Sequence, residues 1–322
     1  MPATRRDFLR KSIWMGGSIA INPIISMGGN EFIPTSREPD AFSLSVFSKH
    51  LQWLNYQEMA TLVAEMGFDG IDLTVRPAGH VLPEKVAEDL PNAVEIIRKA
   101  GLNVYMITTA ITDAKQPYTE AILKTASGLG IRHYRLGWLN YDDSKSIEDN
   151  LTIFESQLSS IAAMNEKYSI SGEYQNHSGK YFGASIWDLD AVLKKINSPW
   201  IGSQYDILHA TIEGANAWPI GFKLLNPYVK SLDLKDFEWT KKEGKSFARE
   251  VPFGTGIIDY KTFLAQVKQQ KLSVPLSAHF EYELGGAENG ATKLTIDKDE
   301  VIKAMKRDCR KIREMLKGAG LV

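Results

Sequence analysis

One pattern of hydrophobic and polar positions recurs along the chain from residue 42 onward. Each unit has a short run rich in β-branched and other apolar residues, a polar turn, and a stretch with helical spacing. In the first unit, Gly67 is placed to end the helical stretch. The pattern predicts strands at 42–47, 70–75, 102–108, 131–137, 170–176, 200–206, 229–234 and 275–281, and helices at 56–66, 84–100, 118–128, 147–168, 186–195, 219–225, 260–270 and 299–316.

The number of units selects the fold class. Eight strand and helix pairs match an α/β fold, the closed (β/α)8 TIM barrel of typically about 250 residues. The alternative is a doubly wound open sheet, which usually carries a glycine-rich phosphate turn after its first strand. Residues 48–51 lack glycine, which favours the barrel. No linker-like stretch divides residues 30–322, so we predict one domain there.

The first thirty residues have the pattern of an export signal. Arg5 and Arg6 precede Phe8, Leu9 and a weakly hydrophobic segment at 12–25. This arrangement is typical of a twin-arginine signal peptide, and the segment is short for a membrane span. We predict a signal peptide at 1–29 and an exported, periplasmic protein with no stable membrane association after cleavage. The alternatives are an uncleaved anchor and a chance pair of arginines.

Composition narrows the class of ligand. The chain has 322 residues, 43% of them hydrophobic, and a formal net charge of −1. This charge balance gives no electrostatic basis for binding nucleic acid or an anionic membrane. The only cysteine, Cys309, can form neither an internal disulfide nor a thiolate metal site. A small neutral or weakly charged ligand fits best.

Polar side chains cluster at the predicted strand ends, which meet at one face of a barrel. They include five of the six histidines, all except His133. The group comprises Lys49, His50, Asp72, Arg76, His80, Arg135, Trp138, Glu173, Gln175, His177, Asp206, His209, Asp233, Lys235, Asp236, His279, Glu281 and Glu283. We predict a functional site at this face.

Several motifs at these positions carry a family resemblance. They are the pair Asn176-His177, the pair Asp206-x-x-His209, the run Leu234-Lys235-Asp236, the turn at 254–259, and Glu281. With them the chain resembles the xylose-isomerase-like TIM-barrel superfamily, the sugar phosphate isomerase/epimerase group. The resemblance covers nearly all of residues 30–322.

The resemblance implies a divalent cation, held by Glu, Asp, His and Glu from strands five to eight. Asp206 matches the family pattern, and Glu173 matches by its spacing to Asn176, although an alignment on the Asn-His pair would place Gln175 there. Asp233 and His279 suggest that the acid and the histidine have exchanged strands. The implied metal set is then Glu173, Asp206, Asp233 and His279, suited to manganese, magnesium, cobalt or zinc. The alternative is that the metal is lost and these residues bind sugar hydroxyls.

The implied chemistry is metal-assisted proton transfer through an enediolate, on a non-phosphorylated sugar or keto-sugar. Glu173 and Glu281 are the candidate base and acid. His209 and His177 would orient hydroxyls. Lys235 would stabilise the developing oxyanion, or else form a salt bridge with Asp236 or Asp206.

Further residues at the same face are candidates for sugar binding. His50, Arg135 and Gln175 supply polar groups there, and the indoles of Trp138 and Trp239 can stack on a pyranose. The polar insertion at 238–250 is either a solvated loop or a mobile lid. Two other functions stay open: a keto-glycoside lyase or hydratase that uses the same enolate, and a noncatalytic sugar-binding protein.

Overall fold

The computed structural model of the protein describes residues 42–322. The predicted signal peptide at 1–29 lies outside the described residues, so the domain boundary at residue 30 stays a prediction. Eight parallel strands close into a single barrel. The predicted (β/α)8 barrel is therefore confirmed. In the described part of the chain, every helix is too short or too polar to span a membrane.

The barrel strands are short and parallel. They are β1 Leu44–Phe47, β2 Gly70–Thr74, β3 Asn103–Thr108, β4 His133–Arg135, β5 Ser171–Gln175, β6 Ile201–Asp206, β7 Val229–Leu234 and β10 Leu276–Ala278. Between β7 and β10, an antiparallel hairpin is formed by β8 Asp236–Lys242 and β9 Lys245–Val251. The predicted insertion is therefore a regular hairpin, because its residues pair along their whole length.

Helices lie between successive strands. They are α1 Tyr56–Met66, α2 Val86–Lys99, α3 Thr119–Gly128, α4 Ile147–Tyr168, α5 Ile186–Ile196, α6 Ile207–Gly214, α7 Trp218–Leu225, α8 Tyr260–Gln269 and α9 Lys298–Ala319. Helix α1 begins with a capping box between Asn55 and Glu58, and it ends at Gly67 with φ of 88°. Helix α6 was not predicted; Asp206 caps it by accepting the His209 amide N–H at 3.2 Å.

The barrel has an apolar outside and a polar inside. Outward residues such as Leu44, Val46 and Leu73 are fully buried in the layer between strands and helices. The inside is crossed by hydrogen bonds between strands that are not neighbours. The Ser277 hydroxyl on β10 donates to Asp72 on β2 at 2.8 Å, although β1 lies between those strands. The interior therefore holds a polar network, which extends up to the carboxyl ends of the strands.

The hairpin is anchored beside those carboxyl ends by the Asp236 carboxylate. This side chain accepts the amide N–H groups of Gly254 and Gly256, each at 3.0 Å. A Cβ atom at Gly256 would overlap the Asp236 carboxylate, so the turn requires glycine there. The Gly-rich motif at 254–259 thus has a structural role, because it holds the end of the hairpin against the barrel.

Candidate active site

The ammonium group of Lys235 lies at the centre of the strand-end residues. Its Nζ atom is 3.0 Å from Asp206 Oδ2, 2.8 Å from Glu281 Oε2 and 2.9 Å from His209 Nε2. The Lys235 side chain is only 3% exposed. Three groups that could bind a cation therefore face a cation that the chain itself supplies.

Electrostatics keep this cluster charged. Burial alone would lower the pKa of Lys235, but the carboxylates of Asp206 and Glu281 outweigh it and raise that pKa. Burial alone would raise the pKa of Glu281, but the ammonium groups of Lys235 and Lys49 hold it well below its usual range. Both side chains are therefore ionised at neutral pH. The Glu281 side chain retains 20% exposure, which leaves it accessible to a ligand.

Lys49, just after β1, makes the second contact to Glu281. Its Nζ atom lies 2.6 Å from Glu281 Oε1. Burial lowers the pKa of Lys49, although Glu281 opposes that shift. The sequence placed Lys49 at the strand ends without a role, and only the structure joins it to Glu281.

The hydrogen bonds of His209 identify its tautomer. An ammonium group can only donate, so His209 Nε2 accepts from Lys235 and the proton lies on Nδ1. That Nδ1–H donates to the Ser178 hydroxyl at 2.9 Å. Burial and the Lys235 charge lower the pKa of His209 well below its usual value. His209 is therefore a neutral imidazole in direct contact with the central ammonium.

Below this cluster, Gln175 connects the side chains of Asp206, Asp233 and Arg135. Its amide Nε2 donates to Asp206 Oδ2 at 3.0 Å and to Asp233 Oδ2 at 2.6 Å. Its Oε1 accepts from Arg135 Nη1 at 2.9 Å. Gln204 donates to the other Asp233 oxygen at 2.6 Å. Gln175 therefore positions the side chains of Asp206 and Asp233. Its amide oxygen and nitrogen are both hydrogen-bonded within the chain, and its predicted direct contact with sugar stays a prediction.

Glu173 lies deeper in the barrel than predicted. It precedes Gln175 by two residues on the same inner face of β5, so it points into the layer below. There its carboxylate contacts His133 Nδ1 at 2.6 Å and accepts a hydrogen bond from the Ser231 hydroxyl. Glu173 is completely buried. Its partners lie below the Lys235 cluster, and its predicted roles as base and metal ligand stay predictions.

The predicted metal set is not assembled. No group of three or more His, Cys, Asp or Glu residues within 42–322 is arranged to hold a metal ion. Asp233 is held by two amides, and His279 Nε2 lies 3.4 Å from its Oδ1. The Asp206 carboxylate contacts the Lys235 ammonium, at the place where a metal ion would have to lie. The donor set as arranged fits an ammonium group and does not fit a divalent cation.

Of the remaining predicted residues, His50 is bonded to the backbone, whereas His177 and Trp138 line the site. The His50 Nε2 accepts the Phe280 amide at 3.0 Å and its Nδ1–H donates to the Ala287 carbonyl at 3.2 Å. Both nitrogens of this buried ring are engaged with the backbone, and its predicted contact with substrate stays a prediction. The His177 ring packs between two others. Its centroid lies 3.9 Å from that of His209 and 4.5 Å from that of Trp138. These rings form one wall of the site.

Trp239 is exposed to solvent, whereas His279 is buried. Trp239 lies on hairpin strand β8 and is 51% exposed. His279 stacks on Phe47 with centroids 4.5 Å apart, and both its ring nitrogens are buried without a hydrogen bond among the described residues. Burial and the Lys235 charge lower the pKa of His279 well below its usual value. His279 is therefore neutral, with free nitrogens beside the cluster.

Sequence similarity extends over most of the barrel. The model of the family described as xylose isomerase-like TIM barrel matches residues 60–306. The chain belongs to this xylose isomerase-like family. The resemblance inferred from the motifs is confirmed at this level. No curated protein matches the chain by sequence.

Solved structures similar to this xylose isomerase-like barrel include two sugar epimerases and a magnesium-bound protein. L-ribulose 3-epimerase has a TM-score of 0.66 at 13% identity, over 86% of this chain and 95% of that one. The E. coli 3-keto-D-glucoside 4-epimerase has a TM-score of 0.62 at 10% identity, over 85% and 99%. A Mycobacterium smegmatis xylose isomerase-like protein in complex with magnesium has a TM-score of 0.63 at 10% identity, over 86% and 97%. Identities this low show a shared fold and do not by themselves transfer an activity.

Proposed function

We propose that this xylose isomerase-like barrel is an enzyme that isomerises or epimerises a non-phosphorylated sugar or keto-sugar by proton transfer. The observation that carries the proposal is the buried Lys235 ammonium in contact with Asp206, Glu281 and His209. Such a cluster of opposed titratable groups exceeds what hydroxyl recognition requires. The similar structures support the proposal, since they include sugar epimerases and a probable dehydratase.

Glu281 is the proposed base. It is ionised and partly exposed at the barrel mouth, which is what abstraction of a proton next to a carbonyl requires. A substrate carbonyl oxygen that accepts a hydrogen bond from Lys235 would weaken the contact between Lys235 and Glu281. The carboxylate then becomes more basic as the carbonyl becomes polarised, so both changes favour proton removal.

The two ammonium groups stabilise the resulting enolate. Lys235 and Lys49 both contact Glu281, so a negative oxygen that develops near this carboxylate lies within their reach. His209 fixes the Lys235 ammonium from the other side. We propose that Lys235 supplies the positive charge for which a divalent cation was predicted, because the carboxylates of Asp206 and Glu281 already face it.

Hydrogen exchange at carbon tests this function. Incubation of the protein with keto-sugars in D2O should introduce deuterium next to the carbonyl, as seen by NMR, and Glu281→Gln should lower the rate at least about a hundredfold. Glu314→Gln on the exposed surface of α9 is the matched control and should have no effect. Binding of a sugar without any exchange in the parent protein would favour the sugar-binding alternative. Dialysis against EDTA should leave the rate unchanged.

Lys49 favours a second candidate, a keto-glycoside lyase or hydratase. Elimination from the same enolate needs an acid that protonates the departing oxygen, and Lys49 has a lowered pKa and touches the proposed base. Elimination forms a conjugated enone that absorbs ultraviolet light. Its appearance with a 3-keto-glycoside would identify the lyase, and a new sugar epimer without this absorbance would identify the epimerase.

Export through the twin-arginine pathway is a further proposal, supported by Arg5, Arg6 and the weakly hydrophobic segment at 12–25. Cell fractionation should recover a shortened protein in the periplasmic fraction. Recovery of the full-length chain in the cytoplasm would contradict it.

A further inference from the structure

Two arginines at the barrel mouth lack an acidic partner. Arg135 ends β4, and Arg76 lies two residues after β2. Among residues 42–322, no carboxylate oxygen lies within 4.0 Å of a nitrogen of either guanidinium group. Glu281, whose charge acts on Arg76, is instead in contact with Lys235 and Lys49. Neither arginine therefore makes a direct ion pair within residues 42–322.

Both guanidinium groups adjoin the same aromatic ring. The Cζ atom of Arg76 is 5.5 Å from the centre of the Phe47 ring, and that of Arg135 is 5.4 Å from it. The Lys49 Nζ atom lies 5.6 Å from the same centre. Burial and the repulsion from Arg135 lower the pKa of Arg76 to about 10. Three cations thus surround one phenyl ring, an arrangement that an anion would relieve.

Unused hydrogen-bond donors accompany this charge. Arg135 is only 4% exposed, and it spends one Nη1 bond on Gln175, yet its Nε is buried without a partner in the described chain. The indole Nε1 of Trp138 is also buried and unpartnered there, and the Arg135 guanidinium lies 5.2 Å from that indole ring. Buried donors without acceptors are costly, so they indicate a ligand that brings oxygen atoms.

We propose that the sugar bound at this site carries a carboxylate, and that Arg76 and Arg135 bind this carboxylate beside Phe47. This inference rests on the proposed function, since it names the class of sugar for the same site. A carboxylate is planar and offers two oxygens, which matches the edge of a guanidinium group. Uronic and aldonic acids are sugars of this class. A phosphate monoester also brings anionic oxygens, so it is a necessary comparison.

Calorimetric titration with matched sugars tests the proposal. The probes are D-glucuronate, D-galacturonate and D-gluconate, compared with D-glucose, D-galactose and glucose 6-phosphate at constant ionic strength. At least one sugar acid should bind about tenfold to a hundredfold more tightly than its neutral counterpart. Raising the salt concentration should weaken binding of the acid and leave the neutral sugar unchanged.

Variants locate the carboxylate. Arg76→Gln should remove about tenfold or more of the preference for the acid, with little change for the neutral sugar. Arg76 is half-buried while Arg135 is buried, so this variant is expected to fold even if Arg135→Gln does not. Arg310→Gln, on the exposed surface of α9, is the matched control and should retain the full preference.

Three results would overturn the inference. They are equal affinity for every acid and its neutral counterpart, tighter binding of glucose 6-phosphate than of any sugar acid, and an unchanged acid preference in Arg76→Gln. The proposed function fails differently, because it predicts carbon-bound hydrogen exchange that depends on Glu281. A protein that binds a sugar acid through Arg76 without any exchange would keep this inference and refute the enzyme.

Discussion

At the scale of single residues, the position of Lys235 determines how the carboxylates at the strand ends are used. Its Nζ atom lies between 2.8 and 3.0 Å from one atom each of Asp206, Glu281 and His209. Isolated buried charges are costly, so the carboxylates and the ammonium depend on each other. Removing the lysine would leave two carboxylate oxygens and one imidazole nitrogen around an empty space.

Lys235→Met should therefore lose catalytic turnover and gain affinity for a metal ion. Turnover should fall at least about a hundredfold, since the charge opposite the enolate is lost. The variant should also gain affinity for a divalent cation, because three oxygen and nitrogen ligands then face a vacant position.

Plasma mass spectrometry on proteins purified without chelators measures this gain, with Lys261→Met on the exposed side of α8 as the control. About one equivalent of metal in the parent protein, lost on Asp206→Asn, would contradict the role given to Lys235.

At the scale of elements, the β8-β9 hairpin shows how one carboxylate positions a long insertion. Asp236 begins the hairpin and accepts amide N–H groups from Gly254 and Gly256 beyond its end. The Phe237 ring at its base is fully buried, while Trp239 is 51% exposed. The hairpin base is therefore fixed to the barrel, and its outer part extends into solvent.

Gly256→Ala should release the hairpin base. The new methyl group would overlap the Asp236 carboxylate and the Phe237 carbonyl oxygen, so the turn must shift. We expect a loss of about 1–3 kcal/mol in the free energy of unfolding.

Gly128→Ala is the matched control, because Gly128 ends α3 with no atom within 4 Å of the added Cβ. That change should be neutral or stabilising by up to about 1 kcal/mol. Amide hydrogen exchange should increase in the hairpin of Gly256→Ala alone. Unchanged exchange there would contradict the anchoring role of Asp236.

At the scale of the whole molecule, the polar barrel interior makes stability depend on pH. Burial raises the pKa of Asp72 from 3.8 to about 7, although hydroxyl groups of Ser277 and Thr108 donate to it. The folded state thus holds the Asp72 proton more tightly than the unfolded state does. Stability from this group is present in full below pH 4 and declines as the pH rises toward 7.

Asp72→Asn should remove this decline. The ionised carboxyl costs on the order of 4 kcal/mol above pH 7, from the difference between the two pKa values. Urea unfolding at pH 5 and pH 8 should therefore show a larger loss of stability in the parent than in the variant. Asp113→Asn, at a half-buried loop position, is the control and should follow the parent. Equal pH dependence in parent and Asp72→Asn would contradict the protonated interior carboxyl.

The local pattern of the sequence determined the barrel and many of the residues that lie at its strand ends. Predicted bounds match α1, α4 and β7 at both ends, because helix caps and the periodicity of helices and strands are set by neighbouring residues. Arg135, Asp206, His209, Lys235 and Glu281 were expected together, since parallel strand ends meet at one face. The tertiary structure brings them together there.

Only the tertiary structure decided how deep each side chain lies in the barrel and which partner it contacts. Glu173 and Gln175 share the inner face of β5, and strand alternation alone cannot tell which of them reaches Asp206. The register between strands places Gln175 beside Asp206 and Glu173 beside His133. Likewise, contacts across the closed barrel turn Lys235 toward both carboxylates and engage His50 with the backbone. These contacts join residues far apart in sequence, so no local pattern encodes them.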